Sequence, residues 1–167
     1  SILLAIKAAR DYYRDKKGIG KRRRNPEVIA CVSAHAAVDK ACDMMGLKLV
    51  QIPFDESPNC KNPYQMDVGK CRAAVNENTI MIYSSAPSFP QGVIDPVTEL
   101  AEIAVKYDVA LHVDCCLGGF ILPFARDEYQ LALAALAKKR DAGASVEACA
   151  KEEERVRLLE VPPFDFT

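Results

Sequence analysis

The chain has 167 residues, half of them hydrophobic, and its 22 basic and 23 acidic side chains leave a net charge of −1. This length and apolar content suit one domain with a real core, or a piece of a larger domain. The balanced charge gives no reason to expect nucleic acid or an acidic surface as a partner. No apolar run approaches the roughly 20 residues that cross a bilayer, and no signal peptide is visible.

The seven cysteines form no regular framework, and no Cys-x-x-Cys pair occurs. A zinc ribbon or a thioredoxin motif is therefore unsupported, and we predict no metal site. Reduced thiols in a reducing compartment are the simpler interpretation. The chain begins at Ser1 without a methionine and ends at Thr167 without a tail, so we expect an internal fragment of a longer protein.

Apolar runs of strand type alternate with amphipathic segments along the first two thirds of the chain. The predicted strands cover residues 28–32, 47–54, 79–83 and 109–113, and the predicted helices cover residues 1–16, 37–45, 67–75 and 95–107. This alternation indicates right-handed βαβ units and an α/β fold with a parallel sheet.

Local patterns refine these helices. Met44 and Tyr107 fall on the apolar stripes of the second and fourth helices, so we expect both to be buried. Asp67 and Asp95 precede helices and are predicted to be N-caps, with Pro96 in the first turn after Asp95.

Two segments are predicted to lie outside the sheet. The basic run at residues 16–26 is read as a solvated loop, with a nuclear or phospholipid-binding patch as the alternative. Residues 126–161 are rich in alanine, lysine and glutamate, and we predict a helical insertion of two surface helices broken at Gly143.

Three loops follow predicted strands, at residues 33–35, 84–92 and 114–119. In a parallel sheet they meet at one edge, where α/β proteins bind ligands. They bring an imidazole (His35), several hydroxyls and a carboxylate (Asp114). Two interpretations stay open, because Asp114 either contacts a cofactor or only caps the next turn.

The histidines and cysteines near this edge are also ambiguous. His35 is either structural or functional, and His112, two residues before Asp114 on the same side, is either a site residue or a packed core histidine. A nucleophile at Cys115 or Cys116 is possible in principle, although small packed thiols beside glycines are commoner.

Three segments carry a resemblance to the sphingosine-1-phosphate lyase family. They are Ser33-Ala34-His35-Ala36-Ala37, Ala86-Pro87-Ser88-Phe89-Pro90-Gln91-Gly92-Val93-Ile94-Asp95-Pro96 and His112-Val113-Asp114-Cys115-Cys116-Leu117-Gly118-Gly119-Phe120. This family is a branch of the pyridoxal-phosphate-dependent decarboxylases with the type I aminotransferase fold. The resemblance implies that residues 1–125 are part of the cofactor-binding large domain and that residues 162–167 return to it.

The resemblance implies a reaction and a cofactor. The full-length parent would cleave sphingosine 1-phosphate, a phosphorylated long-chain base, to a fatty aldehyde and phosphoethanolamine, using pyridoxal 5'-phosphate. Two alternatives remain, an amino-acid decarboxylase of the same fold and a non-catalytic α/β scaffold.

The resemblance also assigns roles to six residues. Asp114 would hold the pyridine nitrogen protonated, and His35 would lie against the cofactor ring. Ser1 would lie at the helix N-terminus that binds the phosphate. The remaining three, Ser84, Ser85 and His112, would line the pocket.

No catalytic residue can be named within the chain. Family members carry the Schiff-base lysine in an Asp-Thr-His-Lys motif after a Pro-Phe-Asp-Phe segment, and this sequence ends at Thr167. Lys138 and Lys139 lie in the predicted insertion and are not candidates. By resemblance the parent would be a homodimer, anchored in the endoplasmic reticulum membrane with a cytosolic catalytic domain, or cytoplasmic if bacterial.

Overall fold

A computed structural model describes residues 1–16, 25–58, 60 and 62–160. Most of the basic run, and the expected return to the large domain at residues 162–167, lie outside the described residues. The described chain forms two compact units, one ending at Cys115 and one beginning at Cys116.

The first unit alternates helices and strands, which confirms the predicted α/β class. In chain order its elements are α1 Ile2–Lys16, β1 Glu27–Cys31, α2 Ala37–Met45, β2 Lys48–Ile52, α3 Val68–Ala74, β3 Thr79–Ser85, α4 Val97–Tyr107 and β4 Ala110–Asp114. The third strand extends two residues beyond its predicted end, so Ser84 and Ser85 lie in β3 instead of the following loop.

The four strands form one parallel sheet in the order β2-β1-β3-β4. The chain moves from β1 to one side to make β2, and then to the other side to make β3 and β4. The strand order therefore reverses between β1 and β3, the type of position at which open α/β sheets bind ligands.

Helices cover both faces of this sheet, as its apolar strands require. The helices α1 and α2 pack on one face, against side chains that include Val28, Ala30 and Tyr83. The other face packs against α3 and α4 through side chains that include Ile29 and Ile82.

Two predicted core residues are exposed. Met44 is 64% exposed and Tyr107 is 42% exposed, so these predictions were wrong. The buried residues of α2 are Val38, Ala41 and Cys42, and Met44 points away from this stripe. Tyr107 is the last residue of α4, and the last buried residue of this helix is Ala104.

The second unit consists of two helices, α5 Gly118–Asp141 and α6 Val146–Leu159. The predicted pair and its break at Gly143, which has a φ of 68°, are confirmed. The first helix starts earlier than predicted and runs through Pro123. Whether the unit is an insertion within the family's large domain stays a prediction.

Ion pairs join the two helices of the second unit. They include Lys139 with Glu152, Arg140 with Glu153 and Arg155 with Glu128. Across the described part of the chain, no helix is both long enough and apolar enough to span a membrane.

Candidate active site

The three predicted loops start at neighbouring positions on one edge of the sheet, as the sequence indicated. They follow β1, β3 and β4, which are adjacent and parallel. The loop after β3 is tied to the end of β4, because the Ala86 amide donates to the Asp114 carbonyl oxygen over 2.9 Å. This edge therefore gathers the polar groups that the apolar strands exclude from their interior.

A three-residue cluster lies where β3 and β4 end. The strand register pairs Tyr83 with His112 and Ser85 with Asp114, so Tyr83, His112 and Asp114 project from the same face of the sheet. The Tyr83 hydroxyl donates a hydrogen bond to Asp114 Oδ2 over 2.5 Å. The rings of Tyr83 and His112 lie 5.6 Å apart between centroids.

Sequence analysis missed Tyr83, because within an apolar strand it looked like an ordinary core residue. Its side chain is fully buried, at 0% exposure, and Asp114 is partly exposed. The carboxylate is thus held from the core side at a position that remains open to a ligand.

His112 lies beside this carboxylate as predicted. Burial lowers the pKa of His112, and the nearby Asp114 charge opposes that shift. The lowered pKa favours the uncharged form of the imidazole at neutral pH.

His35 lies just beyond the end of β1 and is exposed. Its Nδ1 accepts a hydrogen bond from the Ala37 amide over 3.0 Å, which satisfies one donor at the start of α2. Because Nδ1 is the acceptor, the neutral ring carries its proton on Nε2. The histidine therefore accepts from the first residue of α2 and still presents an imidazole surface at the edge.

Ser1 precedes the first residue of α1, and its carbonyl oxygen accepts from the Ala5 amide over 3.0 Å. It thus occupies the N-terminal cap position of a helix of 15 residues. The first amides of such a helix lack intrahelical partners and attract anions.

The two serines of β3 occupy different surroundings. Ser84 is fully buried, and its hydroxyl is without a hydrogen-bond partner among the described residues. Strand alternation directs its side chain to the face opposite Tyr83 and Asp114. Ser85 shares the Asp114 face and is 5% exposed.

Asp95 is not the helix cap that the sequence predicted. The N-cap of α4 is Pro96, and no side chain caps this helix. The Asp95 carboxylate is 2% exposed and accepts from the amides of Met66 and Ser85, each over 2.8 Å. Burial raises the pKa of Asp95, and these two hydrogen bonds act in the opposite direction.

Asp95 also closes the loop after β3, because its own amide donates to the Ser85 carbonyl oxygen over 2.9 Å. Ser85 and Asp95 are therefore joined by two hydrogen bonds at the base of the loop. This role was missed because Met66 is distant in sequence. The buried carboxylate fixes the end of β3 instead of reacting with a ligand.

The two adjacent cysteines differ in environment. Burial raises the pKa of the Cys115 thiol, and the charge of Asp114 adds to this effect. Its protonated form is a poor nucleophile. Cys116 is exposed and has a φ of 40°, contrary to the expectation of a packed thiol.

These groups fit pyridoxal 5'-phosphate by their chemistry. Asp114 offers a hydrogen-bonded carboxylate of the kind that pairs with a protonated ring nitrogen. The N-terminus of α1 offers amides suited to a phosphate, and His35 offers an imidazole surface. Among the described residues no cluster of side chains could hold a metal ion.

Comparison with known proteins points in the same direction. The family model for the pyridoxal-dependent decarboxylase conserved domain matches residues 1–138. A sphingosine-1-phosphate lyase of Oryza sativa subsp. japonica is 50% identical over 126 residues, which is 75% of this chain and 22% of that protein. The chain thus spans about a fifth of the length of this relative.

A solved structure and a second type of relative extend the comparison. The sphingosine-1-phosphate lyase of Burkholderia pseudomallei K96243 has a TM-score of 0.68 at 40% identity, covering 75% of this chain and 27% of that one. A probable L-tyrosine/L-aspartate decarboxylase of Methanothermobacter thermautotrophicus is 38% identical, covering 75% of this chain and 31% of that protein.

Proposed function

The chain belongs to the pyridoxal-dependent decarboxylase family, and from this premise we propose that it supplies part of a pyridoxal 5'-phosphate site in a sphingosine-1-phosphate lyase. The observation that carries the proposal is the Asp114 carboxylate, held by Tyr83 at the carboxyl end of β4. The choice of lyase is supported by relatives of that name at 40% and 50% identity over 75% of the chain.

Asp114 would be the partner of the cofactor's ring nitrogen. When bound, pyridoxal 5'-phosphate supplies a ring that accepts electrons, and a carboxylate beside the ring nitrogen favours the protonated, stronger acceptor. The neutral state of His112 matters here, because an imidazolium at this position would compete for the Asp114 charge.

The other predicted site residues are assigned roles at the same edge of the sheet. The α1 N-terminus at Ser1 would hold the phosphate, and His35 would lie against the ring with its orientation fixed by the Ala37 amide. Ser85 and His112 would line the pocket beside Asp114. Ser84 in the pocket wall stays a prediction from the resemblance, since its hydroxyl is buried on the other face.

The proposed substrate of the whole protein is a phosphorylated long-chain base. Cleavage of its Cα–Cβ bond would give a fatty aldehyde and phosphoethanolamine. We assign no lysine of this chain to the imine linkage that this family uses.

The test is an assay of the full-length protein that carries this chain, supplied with pyridoxal 5'-phosphate and a sphingoid-base phosphate. Aldehyde release that depends on the cofactor is the expected result. Carbon dioxide from an amino acid, with no aldehyde from the lipid, would replace the lyase by a decarboxylase. That second candidate is supported by the relative at 38% identity.

A non-catalytic scaffold is the third candidate, and the coding sequence downstream of Thr167 tests it. An Asp-Thr-His-Lys-like motif within about 20 codons supports an enzyme, by the site order expected of such motifs. A complete transcript without this motif would favour the scaffold.

For assembly and location we propose a homodimer whose catalytic part faces the cytosol at the endoplasmic reticulum membrane. A cytoplasmic enzyme is the alternative if the source is bacterial. Light scattering of the full-length protein measures its mass in solution, and a monomeric mass would refute the dimer. Cell fractionation distinguishes the membrane-bound form from the cytoplasmic one.

A further inference from the structure

We infer that Tyr83 is a positioning residue, which sets the orientation of the Asp114 carboxylate toward the cofactor's ring nitrogen. The inference rests on the proposed function, because it assumes that Asp114 is the partner of that nitrogen. It goes further by assigning a role to a buried side chain that would not touch the cofactor itself.

The geometry of Tyr83 suits this role. Its ring is 0% exposed and belongs to the core cluster between the sheet and the helices α1 and α2. The ring of His112 lies on the neighbouring strand, 5.6 Å away between centroids. Close packing of this kind leaves the phenol few alternative rotamers, so the position of its hydroxyl is set by the core.

The hydrogen bond passes diagonally between the two strands. The register places Tyr83 opposite His112, and Asp114 lies two residues further along β4. The Tyr83 hydroxyl donates to Asp114 Oδ2 and so fixes one oxygen of the carboxylate. A carboxylate has about four acceptor sites, so this bond is compatible with a second donor such as a ring N–H.

A second buried tyrosine shows what a purely structural hydroxyl looks like. Tyr13 is 4% exposed, and its hydroxyl donates to the Asp108 backbone carbonyl over 2.9 Å. That acceptor is neutral and lies at the amino-terminal side of β4, away from the candidate site. Tyr83 instead donates to a charged side chain at the edge where the site lies.

The test is a double-mutant cycle in the full-length protein, with Tyr83→Phe, Asp114→Asn and both together. Phenylalanine keeps the ring and removes only the donor, and Tyr13→Phe is the matched control. The first readout is the dissociation constant of pyridoxal 5'-phosphate for the cofactor-free protein. The second is the ¹⁵N resonance of labelled ring nitrogen, which reports its protonation.

Tyr83→Phe is expected to raise the dissociation constant about three- to tenfold, the size expected for the loss of one ordinary hydrogen bond, because the carboxylate charge itself is kept. The ¹⁵N resonance should move toward its unprotonated position, by less than in Asp114→Asn. In the Asp114→Asn background the same substitution should change neither readout, because the carboxylate that Tyr83 orients is gone. Tyr13→Phe should leave both readouts unchanged.

The outcomes separate the two claims. An Asp114→Asn protein with unaltered affinity and ¹⁵N resonance refutes the proposed function, and the role of Tyr83 falls with it. An effect of Asp114→Asn without any effect of Tyr83→Phe overturns the positioning role alone. Equal effects of Tyr83→Phe in both backgrounds would also overturn it, because they would come from packing. Urea unfolding of each variant identifies a loss of stability.

Discussion

The end of β4 and the base of the loop after β3 each contain an aspartate, and the two are used in different ways. Asp95, at the loop base, is 2% exposed and accepts from two backbone amides. Asp114, at the strand end, is partly exposed and accepts from the Tyr83 hydroxyl. Backbone amides hold a carboxylate as part of the fold, whereas an oriented side-chain partner at an open edge leaves it usable for chemistry.

The largest effect on turnover is expected for the substitution of Asp114. Asp114→Asn keeps the size of the side chain and removes the charge that favours a protonated cofactor ring. We expect turnover of the full-length protein to fall at least about tenfold, since about 1.4 kcal/mol corresponds to a factor of ten. Steady-state kinetics with saturating cofactor measure this. A turnover within twofold of wild type would make Asp114 a plain strand-end cap.

Asp95→Asn should affect stability instead. An asparagine has one acceptor oxygen, so its NH₂ group would face one of the two buried amides that Asp95 now satisfies. We expect the free energy of unfolding to fall by about 1–3 kcal/mol, the cost of one unsatisfied buried donor. Urea unfolding measures the change. A stability equal to wild type would show that Asp95 behaves as an ordinary helix cap.

The pH dependence of stability provides a second test of the structural role of Asp95. Burial raises the pKa of Asp95 in the folded state, so the folded protein binds this proton more tightly than the unfolded chain. Its contribution to stability is therefore largest below the unfolded pKa and is lost as pH rises through the folded pKa. The stability advantage of wild type over Asp95→Asn should be smaller at pH 7 than at pH 4, and an advantage that grows with pH would contradict this.

The smallest effect is expected at Asp67, which is the helix cap that its sequence predicted. Its carboxylate accepts from the Lys70 amide over 2.9 Å at the start of α3. Asparagine caps a helix nearly as well, so Asp67→Asn should change the free energy of unfolding by only a few tenths of a kcal/mol, about the difference between good caps. Parallel unfolding curves for the Asp67 and Asp95 variants provide the comparison, and equal losses would contradict it.

Much of the fold could be predicted because it depends on local patterns. Alternating apolar runs and amphipathic segments identified the strands and helices of the first unit, and parallel topology then placed His35 and Asp114 at one edge. Gly46, the residue after the predicted second helix, is the left-handed C-cap of α2. These features depend on residues within a few positions of one another.

The errors arose where distant residues decide the structure. Asp-Pro before an amphipathic segment is a good cap signal, but the amide of Met66 is the competing donor and is 29 residues away. The role of Tyr83 depends on its register with β4, which no short motif of this chain specifies. A tyrosine in a buried strand is the one sequence signal available, because its hydroxyl needs a partner.

The paired hydrogen bonds between Ser85 and Asp95 divide the loop after β3 into a hydrogen-bonded stem and a tip beyond it. At the tip Phe89 is 86% exposed, so its identity is not set by the core. Doubling the length of a flexible loop costs only about 0.6 kcal/mol once its ends are held together. Evolution can therefore change the tip, by substitution or insertion, while the strand that carries Tyr83 stays in register. The surface that this tip presents can thus diverge while the Tyr83 hydroxyl stays in place beside Asp114.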